Sequence, residues 1–180
     1  MEIVKTNLEG LLVIKSKCIR DNRGHFFESW NKLEYKNIGL DIDFVQDNQS
    51  LSKKGVLRGL HFQHPPFAQG KLVRVIKGAV VDIAVDIRKD SPTYGEHYSI
   101  RLTEENNKIL WVPPGFAHGF VSLEDNTIFS YKCTAYYDKD SEDSLFWADT
   151  DLSIDWGVDN PLVSKKDLLA GSFKNFTSPF

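Results

Sequence analysis

Lys71-Leu72-Val73-Arg74-Val75-Ile76-Lys77-Gly78-Ala79-Val80-Val81-Asp82-Ile83-Ala84-Val85-Asp86-Ile87-Arg88 carries the clearest strand signal in the chain. It is rich in β-branched residues, and Lys77-Gly78 splits it in the manner of a hairpin turn. In the second run Val81, Ile83, Val85 and Ile87 alternate with Asp82, Ala84, Asp86 and Arg88. A period of two with one apolar row is the mark of a strand that buries one face. Further strands are predicted at Leu11–Ile14, His25–Trp30, Phe44–Ser50, His97–Leu102, Ile109–Val112, Phe120–Leu123 and Thr127–Tyr137. Turns rich in Pro, Gly, Asn and Asp separate them. Many short strands at this spacing imply a sandwich or barrel and exclude a parallel α/β sheet.

The 180 residues suit one domain with a sizeable core, and nothing in residues 1–180 marks a linker or repeat. Short helices are predicted only at the periphery. One lies between Asn31 and Gly39; the other follows Ser164, with Lys165-Lys166-Asp167 in its first turn and Gly171 beyond its end. An apolar fraction of 41% and a charged fraction of 26% are those of a soluble protein. The net charge of −3 argues against nucleic acid as a partner, and no stretch suits a membrane span. Cys18 and Cys133 fall in no metal-binding or redox spacing, and no secretory signal opens the chain. A cytoplasmic location is the expectation.

Val56-Leu57-Arg58-Gly59-Leu60-His61-Phe62-Gln63, followed by Gln69-Gly70-Lys71, concentrates the chemistry. In a strand Gly59, His61 and Gln63 share one face while Leu60 and Phe62 pack on the other. Arg58 and Lys71 are the residue types that clamp phosphates, one as a planar fork and one as a point charge. Gln46 and Asn48, on one face of a neighbouring strand, could hydrogen-bond a sugar. Together these residues describe a polar pocket for a phosphorylated carbohydrate.

The run Pro113-Pro114-Gly115-Phe116-Ala117-His118-Gly119-Phe120 is similar to the second signature of the cupin superfamily, whose barrels often hold a metal. The first signature wants H-x-H and a later glutamate. Here Gln63 stands two residues after His61, and Gln69 falls where the glutamate should be. A catalytic metal usually takes about three protein ligands, and no third is evident, so no metal and no other cofactor are expected. His118 reads equally well as a wall histidine and as a substrate-binding residue.

The ordered set Asp21-Asn22-Arg23-Gly24-His25-Phe26-Phe27-Glu28, Arg58–Gln63, Gly70–Val75, Pro113–Phe120, Tyr131-Lys132-Cys133-Thr134-Ala135-Tyr136-Tyr137 and Ile154-Asp155-Trp156 resembles the dTDP-4-dehydrorhamnose 3,5-epimerase (RmlC) family of the cupin superfamily. The resemblance runs along nearly the whole chain up to Ser172. It implies a mainly β, jelly-roll fold and a metal-free enzyme that inverts C3 and C5 of dTDP-4-keto-6-deoxyglucose. By the same resemblance His61 is the base, Asp167 its orienting carboxylate, Tyr131 the proton donor and Lys71 the enolate-stabilising cation. Gln46, Asn48, Arg58 and His118 fall at substrate-binding positions, with Tyr137 as an aromatic contact to the nucleotide. Arg23 and Glu28 match positions that enter the site from the second subunit of a homodimer. Ala135 departs from the aspartate common at that place.

Local sequence by itself favours other roles for several of these residues. Asp167, three after Ser164, fits a capping box, a role expected to exclude pairing with His61. Tyr131 reads as packing and Arg23 as a solvated turn residue. Three alternatives accompany the main reading: an epimerase of C3 alone or of another nucleotide sugar, a metal-dependent cupin, and a sugar-binding cupin without activity.

Overall fold

The computed structural model describes residues 1–180. In chain order it contains β1 (Glu2–Lys5), β2 (Leu12–Lys15), β3 (Ile19–Asp21), β4 (Gly24–Phe26), α1 (Lys32–Asn37), β5 (Gln46–Ser52), β6 (Val56–Gln63), β7 (Lys71–Lys77) and β8 (Ala79–Asp86). Next come β9 (His97–Thr103), β10 (Lys108–Val112), β11 (Phe116–Ser122), β12 (Thr127–Cys133), β13 (Glu142–Ser144), β14 (Leu162–Val163), α2 (Lys165–Leu168) and a 3₁₀ turn at Phe173–Asn175. One sheet runs β1-β2-β10-β7-β12-β5 and the second β13-β6-β11-β8-β9, while β3 and β4 form a separate small ribbon. The two large sheets stack as a jelly-roll sandwich. Val13, Val73, Leu110 and Phe129 of one meet Val80, Ala84, Leu102 and Phe120 of the other in a single apolar cluster.

Lys77-Gly78 is not a hairpin turn. β7 pairs with β10 and β12, whereas β8 pairs with β9 and β11, so the chain crosses there from one sheet to the other. Gly78 makes the corner at φ +81°, and a Cβ on it would come within 2.5 Å of Thr127 Oγ1. Both runs are apolar enough to sit in the middle of a sheet, and central strands need not pair with their chain neighbours. The two rows of β8 are also placed differently from the one-face expectation. Ile83, Val85 and Ile87 lie on the outer face of their sheet, beneath the C-terminal segment. Val80 and Ala84 face the core between the sheets, and Asp82 lies in that same row. Both rows are buried.

Each sheet has a cover. Asn31 caps α1 by accepting from the Leu33 and Glu34 amides, and α1 lays Tyr35 onto Ile14, Leu72, Ile109 and Trp111. The predicted strand at His25–Trp30 stops at Phe26, because Trp30 turns to pack on Tyr35 and Phe44 at ring separations of 4.3 and 4.6 Å. On the second sheet, Trp156, Phe173, Phe176 and Phe180 cover Leu57, Leu60 and Phe62. β12 ends at Cys133, short of Tyr137. The Gln63 side chain holds the following segment instead, donating to the Tyr136 carbonyl at 3.2 Å and accepting from the Asp138 amide at 3.0 Å. β11 begins at Phe116, four residues before the expected Phe120, directly after the Pro113-Pro114-Gly115 turn.

One irregularity positions the site. The β6–β11 register pairs His61 with His118 and Arg58 with Phe120, so two residues of β6 lie opposite Gly119 alone. This bulge restarts the alternation, and Arg58 and His61, three apart, both line the interior cavity. The backbones approach closely there. A Cβ on Gly119 would sit 2.8 Å from the Arg58 carbonyl oxygen and 2.9 Å from Gly59 Cα. Because the obstacles are backbone, Gly119→Ala is expected to lower stability by about 2 kcal/mol, the scale of overpacking. An unchanged denaturation midpoint would contradict this account of the bulge.

Candidate active site

His61 projects from β6 into the space between the sheets. Its Nε2 lies 2.6 Å from Asp167 Oδ1, and Asp167 is only 2% exposed. Burial acting alone would raise the Asp167 pKa, but the hydrogen bond and charge of His61 outweigh it and hold the carboxyl below the usual aspartate value. An ionised Asp167 makes Nε2 the protonated nitrogen, which leaves Nδ1 as a lone pair. The carboxylate takes the pairing and not the reciprocal bond of a capping box, as exclusive roles require. The Ser164 hydroxyl accepts from the Asp167 backbone amide at 3.1 Å, and the Asp167 side chain is thereby free to reach His61.

The facing wall belongs to the other sheet. Lys71 begins β7 and Tyr131 lies on β12, opposite Asn48 of β5. His61, Lys71, Tyr131, His118, Arg58 and Asp167 all line one cavity of about 350 Å³. A second cavity of about 340 Å³ adjoins it, sharing His61, Lys71, Tyr131 and Glu142 and adding Gln46, Asn48 and Tyr137. Desolvation lowers the Lys71 pKa from its ordinary 10.5, opposed by the negative charges of neighbours that include Glu142 and Asp82. Burial moves Tyr131 the other way, above its ordinary 10. The site therefore presents an imidazole backed by a carboxylate on one side, and a cation and a neutral phenol on the other.

His118 forms part of the cavity wall and is hydrogen-bonded, as the wall-histidine reading expects. It lines the cavity, and its Nε2 lies 2.9 Å from Oδ1 of Asp82, which is fully buried. Asp82 Oδ2 has no hydrogen-bond partner. Desolvation raises the Asp82 pKa, against the opposing effects of His118 and Lys71. Asp82 was not among the predicted site residues. Its signal was present as an acid in an apolar strand, but the alternation suggested a solvent-facing row.

The Gln46 and Asn48 side chains are joined by a 3.1 Å hydrogen bond, and Gln46 Oε1 accepts from the Tyr137 backbone amide at 2.8 Å. Arg58 Nε reaches Ser52 Oγ at 3.3 Å. The Tyr137 hydroxyl donates to Glu142 at 2.8 Å, and Glu142 also pairs with Lys166. Neither Glu142 nor Lys166 was predicted. Lys166 precedes Asp167 in a run that local sequence reads as a helix start, and no motif marks Glu142. Arg23 and Glu28 do not join this cavity. Arg23 sits on the exposed β3–β4 turn, paired with Asp21 at 2.5 Å, and Glu28 accepts from Asn31 at 3.2 Å. Cys18 and Cys133 are free thiols, and no helix is long and apolar enough to cross a membrane.

Comparison with known proteins agrees with this geometry. The family model for dTDP-4-dehydrorhamnose 3,5-epimerase matches residues 5–175. A Shigella flexneri protein of that name is 47% identical over 174 residues, covering 96% of each chain. The Legionella pneumophila enzyme RmlC, solved in complex with dTDP-4-keto-L-rhamnose, superposes with a TM-score of 0.94 at 44% identity, covering 98% of this chain and 94% of that one. ChmJ, a 3'-monoepimerase from Streptomyces bikiniensis solved with dTDP-quinovose, gives a TM-score of 0.89 at 30% identity over 94% of this chain and 86% of its own. A carboxylate-backed histidine set across a jelly roll from a lysine and a tyrosine thus sits in a chain that belongs to the dTDP-4-dehydrorhamnose 3,5-epimerase family of isomerases.

Proposed function

We propose that this chain inverts C3 and C5 of dTDP-4-keto-6-deoxy-D-glucose, yielding the 4-keto-L-rhamnose nucleotide for rhamnose biosynthesis. The observation that carries the reading is the 2.6 Å His61–Asp167 contact in a cavity that Lys71 and Tyr131 also line. The C4 ketone acidifies the hydrogens on C3 and C5. In a D-gluco chair both hydrogens are axial on the same ring face, so one imidazole can remove each in turn. The C–H pair moves into the ring as an enolate, its oxygen facing the Lys71 ammonium, while His61 Nδ1 takes the proton and Asp167 stabilises the imidazolium. Tyr131 then protonates the carbon from the opposite face, and the ketone reforms with inverted configuration. A preorganised cation at the enolate oxygen contributes on the order of 3–4 kcal/mol, by analogy with oxyanion donors.

Arg58, His118, Gln46 and Asn48 bind the sugar and diphosphate in this reading, and Tyr137 meets the base. Arg23 and Glu28 complete the site of a second subunit, which is why they stand outside the cavity of their own chain. Every proton transfer uses a protein side chain.

Incubation in D2O with the 4-keto-6-deoxyglucose nucleotide is expected to place deuterium at both C3 and C5, read by NMR. His61→Ala should abolish both labels, and Asp167→Asn should slow turnover roughly 10³-fold, since the amide cannot stabilise an imidazolium. Wild-type protein that exchanges neither position would refute the proposal. The likeness to ChmJ supports a second reading, inversion at C3 alone, which label confined to C3 would establish.

The pH profile separates Lys71 from Tyr131. Lys71 titrates below 10.5 and Tyr131 above 10, so the alkaline loss of kcat should follow deprotonation of the lysine. In Lys71→Arg, whose guanidinium stays charged, residual activity should persist to higher pH. A limb that Lys71→Arg leaves in place and Tyr131→Phe removes would assign it to the phenol. For folding the sign is opposite. Because the Lys71 pKa is depressed in the folded state, its stability penalty is full below that depressed value and shrinks as pH rises through it.

A further inference from the structure

The element that carries Asp167 does little to hold itself in place. α2 is four residues long, too short to be stable alone. Its own apolar residues do not anchor it, since Leu168 is 54% exposed and Leu169 85%. Upstream it hangs from β14, a two-residue strand beside Val56 and Leu57. Yet the Asp167 carboxylate must stay within hydrogen-bonding distance of His61.

The chain beyond α2 is tied down far more firmly. The Phe146 amide donates to the Gly171 carbonyl at 2.8 Å, and Gly171 bridges Leu145. Leu145 directly follows Ser144, the β13 residue that pairs with His61. The Phe173 amide donates to Asp149 at 2.8 Å, and its ring packs on Tyr94 at 5.2 Å. Phe176 and Phe180 then meet Phe62 edge-on, at 5.5 and 6.3 Å. The Phe180 carbonyl accepts from the Lys89 amide at 3.1 Å. Phe62 follows His61 on β6 and points to the outer face. One continuous segment is thus bonded to both partners of the dyad: through the chain to Asp167, and through β13 and Phe62 to His61. The family model ends at residue 175, so Phe176 and Phe180 lie outside what it matches.

We propose that the C-terminal segment Ser172–Phe180 is a positioning element for catalysis, and that Phe176, through its contact with Phe62, holds the Asp167 carboxylate in register with His61. Misplacing a catalytic group by about 1 Å can cost roughly 100-fold in rate, so a clamp on the outer face has leverage on chemistry at the inner one. The inference rests on the proposed roles of His61 and Asp167, but its test has a readout that needs no substrate.

Phe176→Ala in the full chain is expected to lower kcat about 10- to 100-fold with KM changed less than about twofold. In the proton spectrum of the free protein, the far-downfield imidazole N–H signal of the short His61–Asp167 hydrogen bond should weaken or vanish. Phe176→Leu, which keeps apolar bulk and should fold even where alanine does not, is expected to restore most of both. Ile14→Ala, a truncation in the cluster beneath α1 on the other sheet and away from the tail, controls for stability. At an equal loss of Tm it should retain the signal and kcat. Retention of signal and kcat in Phe176→Ala, or equal losses in Ile14→Ala, would overturn the proposal. A wild-type chain without C3 or C5 exchange, whose imidazole signal still depends on Phe176, would instead sink the functional reading and leave the positioning role standing.

Discussion

The contact between His61 Nε2 and Asp167 Oδ1 joins residues 106 apart in sequence, and most of the architecture serves to keep it. A buried carboxylate without a partner is strongly destabilising, whereas one that shares a proton with an imidazole is ionised and compensated. The dyad needs β6 with its inner face open to the cavity, a bulge that turns Arg58 the same way, and a C-terminal segment that returns the chain to β6. The acidic partner arrives on a single helical turn, whose backbone is capped by Ser164. One residue therefore serves twice: its amide closes the helix start and its carboxylate sets the tautomer of His61.

The interior of the sandwich is divided. Toward one part, valines, leucines and phenylalanines from both sheets form an ordinary core. Toward the other lie Lys71, the Asp82–His118 pair and the His61–Asp167 pair, with the half-exposed Lys166 and its partner Glu142 at the edge. No charge in this set lacks a neighbour of opposite sign. Attraction in a poorly solvated space offsets much of the desolvation that would otherwise drive these groups neutral. Lys71 shows the balance well: removal from water lowers its pKa, and carboxylates including Glu142 and Asp82 pull it back.

The sequence was informative where chemistry is local and misleading where pairing is not. The short helix between Asn31 and Gly39, the turn around Arg23 and the face shared by Gln46 and Asn48 depend on near neighbours, and they are found as expected. The role of Lys77-Gly78 depends on which sheet each flanking run joins, a matter decided by residues dozens of positions away. For the same reason alternation in β8 identified two faces and not which one looks inward. Both are buried, and the aspartate on the inner row is tolerated because His118 arrives from β11 to meet it. Glu142 could not have been found this way at all, because its partners Tyr137 and Lys166 come from opposite sides of it in the chain. The family resemblance pointed to His61, Lys71, Tyr131 and Asp167, and the four line one cavity here although local sequence assigned Asp167 and Tyr131 to capping and packing.

Inversion at carbon asks for a base and an acid on opposite faces of a ring, at a separation that one ring fills. Placing them on opposite sheets hands that separation to the packing between sheets, about 10 Å in sandwiches of this kind. Here Phe120 of β11 and Phe129 of β12 stack across the gap at 4.1 Å with planes 23° apart. Both rings also line the cavity, and Phe129 lies alongside Tyr131 and His118. This pair is the rigid spacer nearest the reacting groups. Shrinking either ring would let the sheets approach or leave a void, and in both cases the distance between Tyr131 and His61 would change. The aromatic residues of the core thereby bear on the geometry of the cavity as well as on stability.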